Sequence, residues 1–532
     1  MNAKQAETLG REIVSLESRE IGGIPLFYPV IQELSIREIV NRLVPSQAAI
    51  DLGRIVEVLI LNRLLSPSAL YGVNEWLAES VLPEVLGVKP EQVYDNRLGR
   101  ALDQLHPKLG EAWARIVSRA IQVYALDLSI LHWDITSIYF EGAYSDSALA
   151  CYGYSRDHRS DSKQVNLQVD TTDKGQVPIL YQVLPGNTAD ITRPLDHLEA
   201  LLAFLARPEL AGSAVKPILV SDCKMITPEA VLACHYHRLF YLGPVADSEA
   251  SRAIVESVAA ATLAKHPLKY RPQRVKPDDP EFQPYQGVWR PFTVEYGGES
   301  VTDRALVVWS AGKERLDVKK RKSHLKRLLD DLAGIQKRLN LRRYKKRTYV
   351  EERLKKVQQQ SHHAKGLVDI ELVGVDEQMC LHFAINRQRL AAARAQDGRY
   401  LLATNAKHLD AHQALTIYKG QDGIEKRFRT VKGPLLVHPL FVHSDERIEG
   451  MVFITLLALL VRALLEQRCR QRGITESVDR LLRKFERLQA IDIRCQDGSS
   501  LRQPTQMSDF QAHLLHRLGW PLADAYAHLT QR

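Results

Sequence analysis

The sequence predicts an α/β protein: a sheet-containing domain, interrupted by a large insertion, with helices before and after it. Three observations predict this. Residues 1 to about 125 carry apolar side chains at three- and four-residue spacing, as in Ile36 to Leu43, Leu52 to Leu65 and Arg97 to Leu105. From Leu128 the texture changes to short apolar runs separated by turns. Between about Ala246 and Gln396 that regularity is lost to a Pro-, Gly- and aromatic-rich stretch followed by a long charged helical pattern, Lys313 to Gln360.

The elements follow in order. Pro45, Pro67, Gly72 and Pro83 punctuate the helical opening. Leu131 to Phe140, Gln164 to Asp170 and Val177 to Leu184 read as strands, the last two joined by a tight turn at Asp173-Lys174-Gly175. Ile191 to Ala206 reads as a helix. Pro217 to Val220 is a fourth strand ending at Ser221-Asp222, and Thr227 can cap the next helix with Pro228 in its first position. Phe240 to Val245 is a fifth strand. Three meandering strands, then alternating helix and strand, is the order of a ribonuclease-H-like domain. Within the insertion Arg304 to Trp309 looks like a strand; beyond it Arg399 to Thr404 resumes the sheet, Ala411 to Lys432 is read as one helix, and residues 444 to 471 as an apolar one. The expected domains are therefore a helical N-terminal domain (1–125), the first part of the catalytic domain (126–245), the insertion (246–396), the second part (397–472) and a C-terminal helical tail (473–532).

Composition narrows the class. With 45% apolar and 25% charged residues over 532 positions, two or three globular domains are expected. The six cysteines form no CxxC pair, which points to a reduced, cytoplasmic setting. No basic-then-apolar leader opens the sequence, and the apolar run Met451 to Val461 stops at Arg462, so neither secretion nor a membrane span is expected. The net charge of +9 is local: Lys313 to Lys356 alone holds eighteen Lys or Arg against six Asp or Glu. Such a patch is the footprint of a phosphate-backbone partner, although a solvated helical hairpin accounts equally for the charge alone.

Three carboxylates are the candidates for chemistry. Asp134 sits inside the apolar run Leu131 to Phe140, where a buried unpaired acid is costly; an edge-strand acid facing solvent is the ordinary alternative. Asp222 closes the strand Ile218 to Val220, at the carboxyl end where α/β sheets bind ligands, or else serves the following turn. Glu425 lies seven residues from both Tyr418 and Lys432, so one continuous helix would align all three on a face. Clustered carboxylates repel unless divalent cations bind, and an all-oxygen set suits two Mg²⁺ or Mn²⁺ ions. Two such ions activate a hydroxyl and stabilise the leaving oxygen at a phosphodiester.

The segments Asp134-Ile135-Thr136-Ser137 and Tyr139-Phe140-Glu141-Gly142, then Gly153-Tyr154-Ser155-Arg156-Asp157-His158-Arg159, then Pro185-Gly186-Asn187-Thr188-Ala189-Asp190, together resemble bacterial insertion-sequence transposases of the DDE type. Tyr418 to Lys432 resembles the Tyr-Arg-Glu-Lys signature of their IS-four-like group, with Gln421 in place of the Arg; Lys224 replaces a glycine common after the second aspartate. The resemblance implies that Asp134, Asp222 and Glu425 hold the metals and that Tyr418 and Lys432 contact the transposon end. Lys426, Arg427, Arg429, Arg156, His158, Arg159 and Lys163 are further candidates for phosphate contacts. Trp289 and Trp309 lie in the insertion, where such enzymes hold a flipped base on an aromatic ring; a core role is the alternative for either. The implied function is binding of terminal inverted repeats, metal-dependent strand cleavage and strand transfer into target DNA, by a homodimer in the bacterial nucleoid and with no membrane partner. A nuclease without strand transfer, or a non-catalytic DNA-binding descendant, are the alternatives.

Overall fold

The computed structural model describes residues 13–520, apart from 141–143, 155–158, 160, 189–193, 214–215, 223–224, 273–274, 277–278, 281, 436–441, 443, 497 and 499. Among them are thirteen strands, numbered in chain order. The chain divides into two compact units, residues 1–221 with 420–532, and residues 222–419.

The first unit is organised by the helix Asp445–Gln471. Ser444 caps it, its hydroxyl accepting from the amide of Arg447 at 3.3 Å. Every residue from Gly450 to Leu465 is buried. A helix apolar on all sides must be enclosed. Helices Ile24–Glu33, Leu52–Leu65 and Asp95–Leu105 and strand β4 (Pro178–Pro185) pack around it. By length and composition it could cross a membrane, yet the apolar stretch is 94% buried inside the protein. Arg462 within it is paired with Asp479 at 2.8 Å.

Because of this shared core, the N-terminal helices do not form the separate domain expected over 1–125. Trp113, on helix Leu109–Tyr124, shows the continuity: its indole N–H donates to the carbonyl of Ile179 at 2.8 Å, and its ring packs edge-on against Tyr181 and Phe453. The C-terminal segment is not purely helical either. Strand β1 (Ile13–Glu20) pairs antiparallel with β12 (Gln489–Cys495), which pairs with β13 (Ser500–Pro504).

The unit's main sheet is mixed. β2 (Ile130–Tyr139), β3 (Gln164–Thr172) and β4 form an antiparallel meander, and β5 (Ile218–Val220) lies parallel to β2 on its other side, giving the order β4-β3-β2-β5. The second unit has an antiparallel order β6-β11-β8-β7, from β6 (Phe240–Pro244), β11 (Arg399–Thr404), β8 (Glu299–Trp309) and β7 (Gln286–Tyr296). The β-rich part of the expected insertion thus extends a sheet begun by β6 and β11, because β8 supplies a fully buried run, Ala305 to Val308, to pair with β11. The charged pattern forms two helices, Ala311–Arg338 and Arg347–Gln360, closed by their own core of Leu328, Leu332, Ile335, Val350, Leu354 and Val357. A ribbon of β9 (Val368–Val373) and β10 (Cys380–Ile385) adds Val368 and Leu381 to it. One basic residue is structural: the Arg321 guanidinium grips both carboxylate oxygens of Asp397 in a buried ion pair.

Glu57, on helix Leu52–Leu65, is only 3% exposed, and its Oε2 is buried without a hydrogen-bond partner. Burial, the largest cause, lifts its pKa from 4.5 to about 7; Glu38 and Asp51 reinforce the rise and Arg37 and Arg54 oppose it. The unfolded chain therefore releases this proton first, and stability falls as pH climbs from 4.5 to about 7. Glu57→Gln should leave stability unchanged near pH 4 and raise it by roughly 3 kcal/mol at pH 8, as read by denaturant unfolding at the two pH values.

Candidate active site

Asp134 is half-buried at the middle of β2, its Oδ1 accepting from the amide of Ile135 at 2.8 Å. The strand is fixed from behind by polar groups that apolar periodicity does not reveal. His132, fully buried, lies between Asp173, 2.9 Å from its Nε2, and Gln421, 2.9 Å from its Nδ1. Gln421 in turn donates from Nε2 to the carbonyl of Trp133 at 2.9 Å. One residue thus satisfies a buried imidazole and a strand carbonyl together, and ties the start of helix Asp422–Lys432 to β2. Glu425 lies on the exposed side of that helix, one turn beyond Gln421.

On its other neighbour, β2 pairs in parallel with β5, His132 standing opposite Val220. Two residues beyond these partners come Asp134 on β2 and, after β5, the half-buried Asp222.

The continuous helix expected from Ala411 to Lys432 is broken. Ala411–Lys419 and Asp422–Lys432 are separate, with Gly420 and Gln421 in a turn. Gly420 fits closely there: a Cβ would stand 2.8 Å from Asp173 Oδ1 and 3.0 Å from the His132 ring, so a larger residue would displace one of them. The seven-residue spacing therefore still aligns Glu425 with Lys432 on the second helix, but Tyr418 lies on a different helix. Tyr418 belongs to the second unit, where its ring is 6.4 Å from Tyr400 and the Lys419 ammonium stands over both, 5.5 and 5.6 Å from their centroids.

Arg427 is also placed otherwise than expected. It is 5% exposed, donates to the carbonyls of Gly175 and Gln176 at 2.6 and 3.0 Å, and pairs with Glu466 at 2.8 Å. It anchors the helix and has no surface to offer a phosphate. Lys426 and Arg429 are exposed, and Lys432 is half-buried. Arg159 pairs with Asp161 at 3.1 Å and lies over the Tyr139 ring, and Lys163 donates to the carbonyl of Tyr144. Arg156, His158 and Lys224 fall outside the described residues.

A polar ladder along β3 was missed in the sequence. Gln164, Asn166, Gln168 and Asp170 are all buried at alternate positions. Gln164 donates to the carbonyls of Tyr154 and Gly186, and Asn166 to those of Thr188 and Gly186. Gln168 bonds the ring of His197 at 2.7 Å, and His197 lies 3.2 Å from the Asp170 carboxylate while stacking on Trp133 at 4.5 Å. The ladder fastens the loops at 153 and 186 to the sheet. The loops also touch directly: a Cβ on Gly153 would stand 1.9 Å from the Gly186 carbonyl oxygen. Two motif glycines are thus explained by close approach. A period-two polar pattern among Val165, Leu167 and Val169 is the signal that could have found it.

In the second unit Trp289 lies beneath the Arg304 guanidinium, 4.2 Å from its centroid, and lines an open cleft of about 580 Å³ with His266, Arg304, Lys407, His408 and His412. Desolvation holds Arg304 below the usual arginine range. Trp309 instead closes β8, its indole nitrogen crowding Gly398, where a Cβ would come within 2.8 Å of it. Asp303 is a further buried acid, bonded to His235 at 2.9 Å and to the Tyr241 hydroxyl at 2.7 Å.

Residues 16–112, less than a fifth of the chain, match a family described as a domain of unknown function (DUF4277). No curated protein matches the chain. Among solved structures, the piggyBac transposase synaptic complex with hairpin DNA aligns with 89% of this chain and 82% of its own at 8% identity and a TM-score of 0.37. The pre-cleavage Mos1 transpososome aligns with 29% of this chain and 51% of its own, at 17% identity and a TM-score of 0.15. Likenesses this low carry no argument about this chain, whose reading rests on its own residues.

Removing the Gln421 amide strands the His132 Nδ1 and the Trp133 carbonyl. Gln421→Ala should cost about 1–3 kcal/mol, measured as a shift in denaturant midpoint; an unchanged midpoint would show that β2 does not depend on this link.

Proposed function

We propose that the protein is a DDE-type DNA transposase, with Asp134, Asp222 and Glu425 as its metal-holding carboxylates. The observation that carries this is the Gln421 link, which joins the helix of Glu425 to the strand of Asp134 through Trp133 and His132. Support for Asp222 comes from the β2/β5 register, which leaves both aspartates two residues past an opposed pair. The order β4-β3-β2-β5, an antiparallel meander with a parallel fourth strand, supports a ribonuclease-H-like catalytic domain.

The donor set is all carboxylate oxygen, which fits Mg²⁺ or Mn²⁺ and would not favour softer ions. When bound, two such ions supply charge stabilisation at the attacked phosphodiester and lower the proton affinity of the attacking hydroxyl. The chain's own groups do the rest. Lys426 and Arg429, exposed beside Glu425, and Lys432 are the phosphate-holding candidates on this helix; Arg427 is assigned instead to anchoring it. Tyr418 and Trp289 are proposed to meet the DNA end, Trp289 as the ring that stacks on an unpaired base, because it lines an open cleft among cationic side chains. Exposed lysines and arginines on the helical hairpin would add sequence-independent affinity. Two transposon ends held together require two copies of the chain.

The test uses the full-length protein and a supercoiled plasmid carrying its gene with flanking DNA. With Mg²⁺ the parent should nick the plasmid and join a pre-cut 3′-hydroxyl end to a second DNA. Asp134→Asn and Glu425→Gln should retain DNA retardation in a gel and lose both reactions. Nicking that survives in either variant would remove the assignment; nicking without joining would indicate a nuclease instead, and retardation without nicking by the parent a DNA-binding descendant.

A further inference from the structure

Three histidines converge in the second unit, and the chemistry proposed above uses none of them. His324 lies on helix Ala311–Arg338; His362 and His363 open the short turn His362–Ala364 after helix Arg347–Gln360. One ring nitrogen of each lies within 4.8 Å of the others. Ring centroids are 4.8 Å apart for His324 with either partner and 4.3 Å between His362 and His363.

The packing beneath makes the cluster a built feature. Ser361 and Ala364, flanking the two turn histidines, are both fully buried, and Leu328, one turn beyond His324, belongs to the same core as Ala364. Both backbones that present the rings are therefore fixed. His324 Nδ1 is buried without a hydrogen-bond partner, an uncompensated polar atom that a ligand would explain. The charged neighbours are Lys320 and Arg327 on the long helix and Asp317 further along it. Burial first, then His362 and the cations Arg327 and Lys320, hold His324 below the usual imidazole range. Burial, His362, His324 and Lys320 do the same for His363, with Asp317 opposing. Both sets of influences favour the neutral ring at His324 and His363, the form that has a lone pair to donate.

We propose that His324, His362 and His363 bind a divalent transition-metal ion of the zinc class, fastening the long basic helix to the turn that ends its partner. Three imidazoles and one water complete a tetrahedral site, and an all-nitrogen set discriminates against Mg²⁺. Metal–nitrogen bonds of about 2.0–2.1 Å place ligand nitrogens about 3.3 Å apart. The rings must close up, and His362 and His363 are exposed and can rotate to do so.

The test is made on the full-length protein carrying Asp134→Asn, stripped of metal and kept in excess Mg²⁺, so that the carboxylate site does not contribute. Zn²⁺ is titrated against a chromophoric chelator. One tight equivalent is expected, with a rise in Tm. His363→Ala, a change at an exposed position, and His324→Ala should each weaken that binding by at least about 10- to 100-fold and abolish the Tm rise. His237→Ala, an exposed histidine elsewhere in the unit, should change neither. Co²⁺ in place of Zn²⁺ should give a tetrahedral visible spectrum without thiolate charge transfer. Absence of zinc binding, equal binding in the two cluster variants and the parent, or a thiolate band from cysteine ligation would each overturn the proposal.

Discussion

A helix with no polar face has to be surrounded, and most of the first unit follows from surrounding Asp445–Gln471. The N-terminal helices close over one side and β4 over another, so chain segments more than 400 residues apart in sequence share one interior. Sixteen consecutive residues of the helix, Gly450 to Leu465, are buried in that interior. Where the helix does carry charge, at Arg462, the guanidinium is met by Asp479 and Glu466 and does not face apolar surroundings alone.

The candidate site depends on the interior at one remove. Arg427 reaches Glu466, on the same central helix, and the carbonyls of the turn between β3 and β4; Gln421 reaches β2. The Glu425 helix is therefore held at two points, each by a side chain that sequence similarity would have assigned to DNA or left unexplained. Gln421 shows why a departure from a motif is hard to interpret without coordinates. Its amide supplies a donor and an acceptor at once, which an arginine, having donors alone, does not.

Much of the architecture was legible in the sequence for simple physical reasons. β2 to β5 are short apolar runs between turn residues, and Asp445–Gln471 is an apolar run too long for a strand. What was not legible depended on partners distant in sequence. The break falls at Gly420, a residue poorly suited to a helix interior, but its close fit against Asp173 and His132 depends on residues far away in sequence. The burial of Arg427 is decided by Glu466 and by two carbonyls near residue 175. β12 falls within the stretch 473–532 expected to be helical, and its partner β1 lies at the other end of the chain, where no local pattern reveals the pairing. The polar ladder of β3 is visible in the sequence only as polar residues alternating with Val165, Leu167 and Val169, and its partners, in the loops near 153 and 186 and at His197, are not.

The discontinuity of the first unit also sets a schedule for its synthesis. Its N-terminal part leaves the ribosome complete to Ser221, but the helix that fills its interior is encoded beyond residue 444, after the whole of residues 222–419. At about 5–20 residues per second, an interval on the order of ten seconds or more passes with apolar faces of helices such as Leu52–Leu65 still uncovered. The intervening unit can fold first, and the nascent N-terminal helices are a substrate for chaperones until the central helix emerges.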